Sequence, residues 1–247
     1  MAGALTIVGS GIQTGRDITR AASDCVRQAD KVLYLATERV TTTWLRELNA
    51  SAESLHRFYG VDKPRQRTYA EMVDYILSFV RAGRNVCVVC YGHPGVFADP
   101  MHESIRVARR EGFRARLLPA ISSIDWLYAD LAVDPAQGCQ IYEAADFLTR
   151  RPRFDPTSGL VLLQVGIIWE MNYPAKCNSD GFCKLAAYLA HTYDPDHEVV
   201  IYEAAQYSIS DPSIQRIQLK MASRVVLSLA STLYVPPKGT SQHSGNE

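Results

Sequence analysis

The sequence predicts an α/β protein built as two subdomains. Through residues 1–118, short runs rich in β-branched residues alternate with stretches whose apolar residues recur at helical spacing. Those runs stop abruptly at turns rich in glycine and proline, as strands that feed helices do. After Asp134-Pro135 the style changes, and strand-like runs succeed one another with fewer helices between. A mixed α/β second subdomain is therefore expected over 119–238. Residues 239–247 are polar and read as a disordered tail.

Composition narrows the class. At 247 residues the chain can bury a sizeable core. Lysine plus arginine and aspartate plus glutamate number 26 each, which gives no electrostatic case for nucleic acid or an anionic membrane. The start, MAGALTIVGSGI, lacks the basic region of a secretory signal, and no window reaches membrane-spanning length. A cytoplasmic protein is expected. Cys25, Cys87, Cys90, Cys139, Cys177 and Cys183 sit mostly in apolar runs, as free thiols do in a reducing compartment. Cys87 and Cys90 form a C-x-x-C, but residues three apart on a strand face opposite sides. No second pair completes a zinc site, so no metal is expected.

The first strand is Leu5–Gly9. Gly9, Gly11 and Gly15 miss the dinucleotide-binding spacing, and no acidic residue ends the next strand, so a tight strand-to-helix turn is expected. Ile18, Ala21, Ala22, Cys25, Val26 and Ala29 make a helical stripe, and Lys31–Leu35 completes a βαβ unit. Thr41–Leu48 reads as a helix, and Ser54–Tyr59 as a strand ending at Gly60. A polar loop follows with Lys63, Arg65 and Arg67, flanked by Phe58, Tyr59 and Tyr69. Thr68 and Glu71 have capping-box spacing, so a helix is expected from near Tyr69 to Gly83. A guanidinium near the Tyr69 phenol would favour its phenolate. A solvated basic loop with a cation–π contact is the alternative these residues leave open.

Val86–Cys90 is wholly apolar and reads as a strand buried on both faces. It breaks at Tyr91-Gly92-His93-Pro94-Gly95, where the backbone must turn. In open parallel sheets ligands collect beyond the carboxyl ends of strands, so the loop with Tyr91, His93 and Phe97 is a candidate site. An ordinary βα loop would look the same. Beyond it, Ser104–Glu111 is helical and Arg114–Leu118 a strand. Ser122 or Ser123 then caps a helix to Ala132, whose spare amides would suit a carboxylate. Further on, Gln140–Tyr142, Leu160–Val165, Glu198–Glu203 and Val226–Tyr234 are expected strands, and Phe182–Thr192 a helix. Arg150, Arg151 and Arg153 read as a solvated turn.

Spacing alone gives a cleft without a reaction. The start TIVGSGI, the loop YGHPGVF, PAISS after the next strand, RTYAEM, YEAADFL, LLQVG and YEAAQ together resemble the tetrapyrrole-methylase fold. Within it the chain is most similar to the borosin peptide backbone N-methyltransferases, from about Leu5 to Pro237. The resemblance implies two α/β subdomains with S-adenosylmethionine in the cleft between them, and a homodimer. It assigns catalysis to Arg65, Tyr69 and Tyr59, and places Tyr91 between methyl donor and substrate. It assigns His93, Val96, Phe97, Ser122, Ser123, Gln164, Ala205, Ser231 and Thr232, with Tyr91, to the donor pocket. His56 departs from it, standing where a tyrosine occurs in the family.

The implied reaction is iterative N-methylation of backbone amides. Borosin enzymes that carry their substrate have it as a C-terminal extension, whereas this sequence stops ten residues after Val235-Pro236-Pro237. A separately encoded precursor peptide, acting in trans, is therefore the expected partner. The alternative is a small-molecule, tetrapyrrole-type methyltransferase on the same fold, which should need cationic residues for several substrate carboxylates.

Overall fold

A computed structural model describes residues 3–13, 15–36, 39–61, 63–170 and 175–239. The expected tail beyond Gly239 lies outside them. The described chain forms two compact units. One runs to Trp126 and includes Ala205–Asp211; the other comprises Leu127–Ala204 and the chain from Pro212. The sequence reading drew its line at Leu118–Pro119.

The first unit is a parallel sheet of β1 (Ala4–Gly9), β2 (Lys31–Leu35), β3 (Glu53–Ser54), β4 (Asn85–Cys90) and β5 (Arg114–Leu117). Their order is β3-β2-β4-β1-β5. Helices cover both faces, which is why β1, β2 and β4 are largely apolar on both sides. On one face α1 (Arg20–Gln28) and α2 (Arg39–Leu48) bury Ala22, Val26 and Leu45 with Val8, Val32, Tyr34, Cys87 and Val89. On the other, α3 (Arg65–Arg81) and α4 (Asp99–Arg110) bury Met72, Ile76, Val80, Met101 and Ile105 with Leu5, Ile7, Leu33, Val88 and Cys90. Cys87 and Cys90 thus fall on opposite faces. Burial pushes both thiols up, Cys90 to about 12, so neither is a ready thiolate.

Two expectations fail between β2 and β4. Ser54–Tyr59 is not a strand: only Glu53–Ser54 pairs, and Leu55–Phe58 is a turn of 3-10 helix. The Ser54 hydroxyl causes the break by accepting from the His56 amide at 3.1 Å. Nor do Thr68 and Glu71 cap a helix near Tyr69. α3 begins at Arg65, after Pro64, so Thr68 is already inside it, and Glu71 is engaged by Lys63 and Arg67. α4 also starts earlier than read, at Asp99, with Pro100 in its first turn, where the missing N–H costs nothing.

The second unit is a mixed sheet of β6 (Cys139–Glu143), β7 (Gly159–Leu163), β8 (Glu198–Glu203), β9 (Ser213–Gln218) and β10 (Thr232–Val235), ordered β6-β7-β10-β8-β9. Only β6 and β7 are parallel. α6 (Ala144–Arg150) and α7 (Ser179–Ala190) bury Phe147, Phe182, Leu185 and Leu189 against Leu160, Leu162, Ile201 and Leu233. Val226–Tyr234 was read too long, since pairing begins only at Thr232. α6 and β9 went unread. α6 has only seven residues and β9 is a largely exposed edge strand, so neither carries a strong apolar period.

Candidate active site

The strands of the first unit run parallel, so their carboxyl ends share one rim. Gly9 ends β1 where three chain segments crowd together. A Cβ there would stand 2.0 Å from the Gly92 carbonyl oxygen, 2.5 Å from Ala120 Cβ and 2.9 Å from Pro94 Cδ. Its bare backbone lets the loops after β4 and β5 close over β1. Gly92, at φ 66°, donates to the Gly11 carbonyl at 3.0 Å. Asp17, buried, accepts from the amides of Ile12 and Gln13 at 3.0 and 2.9 Å and from the Trp126 indole at 2.7 Å. Its carboxylate ties the β1 loop to the helix that holds Trp126, α5 (Ser123–Asp130). Sequence reasoning missed Asp17. Its signal is an acidic residue shortly after a glycine turn, where bare amides need an acceptor.

The YGHPGVF loop stands on that rim. The Tyr91 amide donates to the Leu35 carbonyl at 3.1 Å. His93 Nδ1 accepts from the Gly95 amide at 3.0 Å, and its carbonyl accepts from Val96 at 3.1 Å. These bonds pin His93 and Val96 within a tight turn. Phe97 follows with φ 50°, a left-handed conformation rare for a side-chain-bearing residue. Tyr91 and Phe97 are 45% and 44% exposed.

Ser122 does cap α5: its hydroxyl accepts from the amides of Ile124 and Asp125 at 3.2 and 3.4 Å. Asp125 reciprocates, accepting from the Ser122 amide at 2.6 Å. The expectation of spare amides for a carboxylate is corrected at Ile124 and Asp125, because Ser122 already occupies them. Ser123 is half-buried beside it, and Ala205, grouped with the same unit, is buried.

Tyr59, Arg65 and Tyr69 follow β3, two strands across the sheet from Tyr91. Tyr59 closes the 3-10 turn; Arg65 and Tyr69 are the first and fifth residues of α3, neighbours on one helix face. Tyr59 and Tyr69 pack on the apolar cluster that includes Leu35 and Cys90. Those two residues end β2 and β4 and lead into the rim. His56 lies edge-on to Tyr59 with ring centroids 5.8 Å apart, and its buried Nδ1 has no hydrogen-bond partner among the described residues.

In the second unit, Gln164, Ser231 and Thr232 come together where β7 ends and β10 begins. Gln164 has φ 61°, and the next amide, of Val165, donates to the Ser231 carbonyl at 3.2 Å. Ser231 Oγ accepts from the Ser228 amide at 2.8 Å, and Ser228 Oγ is bonded to Glu203. Ser231 and Thr232 are both buried. A cavity of about 140 Å³ opens beside Glu203, Ser228 and Ser231. Another of about 260 Å³ lies under α1 at the amino ends of β1 and β4, and none of the expected site residues lines it.

A family model described as tetrapyrrole (corrin/porphyrin) methylases matches residues 4–208. The chain is 42% identical over 249 residues to a methyltransferase/ribosomally synthesized type I borosin cyclic peptide precursor of Coprinopsis marcescibilis, covering 97% of this chain and 63% of that protein. It is 38% identical over 246 residues to the methyltransferase/ribosomally synthesized omphalotin A precursor of Omphalotus olearius, covering 96% and 58%. The chain therefore spans about three-fifths of these relatives' length. Among solved structures, uroporphyrin-III C-methyltransferase from Thermus thermophilus aligns with TM-score 0.68 at 18% identity, covering 96% of this chain and 93% of that one. The same enzyme complexed with S-adenyl homocysteine aligns with TM-score 0.63 at 18% identity, covering 95% and 92%.

Proposed function

The chain belongs to the tetrapyrrole (corrin/porphyrin) methylase family, and from that premise we propose that it transfers methyl groups from S-adenosylmethionine to backbone amide nitrogens of a ribosomally made precursor peptide. The observation that carries this reading is that the phenols Tyr59 and Tyr69 pack on one apolar cluster of the first unit, with the Arg65 guanidinium one turn before Tyr69 on α3. The borosin relatives give it direction, at 42% and 38% identity over nearly the whole chain. Likeness to the uroporphyrin enzyme, at 18% identity, speaks for the fold alone.

An amide nitrogen is a poor nucleophile because its lone pair is delocalised into the carbonyl. Methylating it requires loss of the N–H proton and tolerance of negative charge on the amide oxygen. Arg65 lies one turn before Tyr69 on the same helix face, and Tyr69 is the residue assigned to take the proton. Tyr59 or Tyr91 donates to the developing charge on oxygen. S-adenosylmethionine, when bound, supplies an electrophilic methyl on a sulfonium. The residues present suit it: Gly9 lets the loops after β4 and β5 close over the strand end, and the partly exposed aromatic side chains of Tyr91 and Phe97 on the YGHPGVF loop are of a type that suits a cation.

The test is expression of the chain with candidate precursor peptides, both separate and joined to its C-terminus, read by intact mass. Products should gain whole methyl masses located on backbone nitrogen. Methylation of a porphyrinoid with every peptide left unmodified would overturn the reading.

A further inference from the structure

Lys63 has no part in the chemistry above, yet its ammonium ties together the two ends of the segment that carries it. Nζ donates to the Phe58 carbonyl at 2.8 Å and is ion-paired with Glu71 on α3. The same carbonyl accepts a longer bond, 3.4 Å, from Oγ1 of buried Thr68. Glu71 is held on its other oxygen by Arg67 Nε at 3.1 Å. The Lys63 amide donates to the Gly60 carbonyl at 3.3 Å, and the Tyr59 amide to the His56 carbonyl at 3.1 Å. The peptide group joining Phe58 to Tyr59 thus has its carbonyl taken by two donors. One belongs to α3 and the other is paired to it, and α3 also bears Arg65 and Tyr69.

We propose that Lys63 is a positioning residue: through the Phe58 carbonyl and Glu71 it fixes Tyr59 in register with Arg65 and Tyr69. The inference rests on the reading of those three residues as the reactive set. A lysine suits the role because its compact ammonium points three donors in different directions and serves a carbonyl and a carboxylate at once. Without the link, the loop from Tyr59 to Pro64 keeps its ends but loses its cross-tie. Reacting groups displaced by about 1 Å can cost ~100-fold in rate.

The test compares wild type, Lys63→Met and Lys63→Arg in steady-state methylation of a peptide that wild type modifies, at saturating S-adenosylmethionine. Lys63→Met should lower kcat about tenfold or more. Its KM for peptide, its donor Kd by calorimetry and its Tm should stay close to wild type, and Lys63→Arg should recover most of the loss. In a Tyr59→Phe background the loss from Lys63→Met should shrink, since the group being positioned is gone. Unchanged kcat, or an equal loss in both backgrounds, would overturn the proposal. If Lys63→Met fails to fold, Glu71→Gln removes the other half of the pair and should lower kcat in the same direction.

A second readout needs no turnover. With 3-fluorotyrosine incorporated, the ¹⁹F resonance of Tyr59, assigned by its loss in Tyr59→Phe, should be sharp in wild type and broadened or split in Lys63→Met. An unchanged line would sink the positioning role. A changed line in a protein that methylates no peptide would retire the functional reading and leave the tie standing.

Discussion

Gly9 makes a sharp demand on the rim, because the loops after β4 and β5 occupy the space a side chain would need. Gly9→Ala should cost about 1–3 kcal/mol in urea unfolding, as overpacking does, and an unchanged midpoint would show that the loops give way. Tyr69 is the complementary case, where chemistry and not space is at stake. Tyr69→Phe should slow methylation ~100-fold or more while donor binding persists, so an undiminished rate would remove the assigned base. His56 makes a pH prediction. Burial pushes its imidazole below the ordinary histidine value. A depressed folded pKa means stability that is fully present above the unfolded value near 6.5 and lost as pH falls through the folded one. Thermal stability should therefore fall as pH is lowered from neutral through the histidine range. His56→Phe should flatten that slope, and an unaltered slope would point to another group. Tyr69 drew notice in the sequence as a phenol beside Arg65 and Arg67, and its assignment as the base came from the family resemblance and remains a proposal. Gly9 was not legible there, because its crowding depends on residues more than eighty positions away.

Among the elements, α5 shows how a short motif is realised. The serine-to-acid spacing expected at Thr68 and Glu71 occurs instead at Ser122 and Asp125, in reciprocal hydrogen bonds. Ser122→Ala should cost about 1 kcal/mol in chemical denaturation, the worth of a helix cap, and a loss near zero would mean the backbone re-caps itself. Thr68 and Glu71 have the same spacing without the geometry, because Pro64 lets α3 start four residues earlier. Spacing therefore nominates caps, and the place where the helix begins selects among them. The false strand at Ser54–Tyr59 has the same origin: a hydroxyl that bonds its own backbone turns the chain out of the sheet.

At the scale of the molecule, the homodimer expected from the sequence resemblance is a proposal, and large apolar side chains stand in the open. Ile209 and Val61 in the first unit and Val226 in the second are 96%, 74% and 77% exposed. Apolar surface left in water commonly marks association. Light scattering should give twice the chain mass, and a monomer at micromolar concentration would remove the expected homodimer.

The sequence by itself determined the first unit's parallel sheet. Strands covered on both faces are apolar on both, and Leu5, Ile7 and Val8 of β1, Val32–Leu35 of β2 and Val86–Cys90 of β4 are written that way. It also settled that Cys87 and Cys90 part company, since the pleat alternates. Only the tertiary structure decided where α3 begins, which carboxylate Lys63 holds, what crowds Gly9, and that the exposed SIQRIQ segment is a strand. Periodicity and propensity are fixed by neighbours along the chain. These other features depend on partners brought together by packing, and no local pattern records who those partners will be.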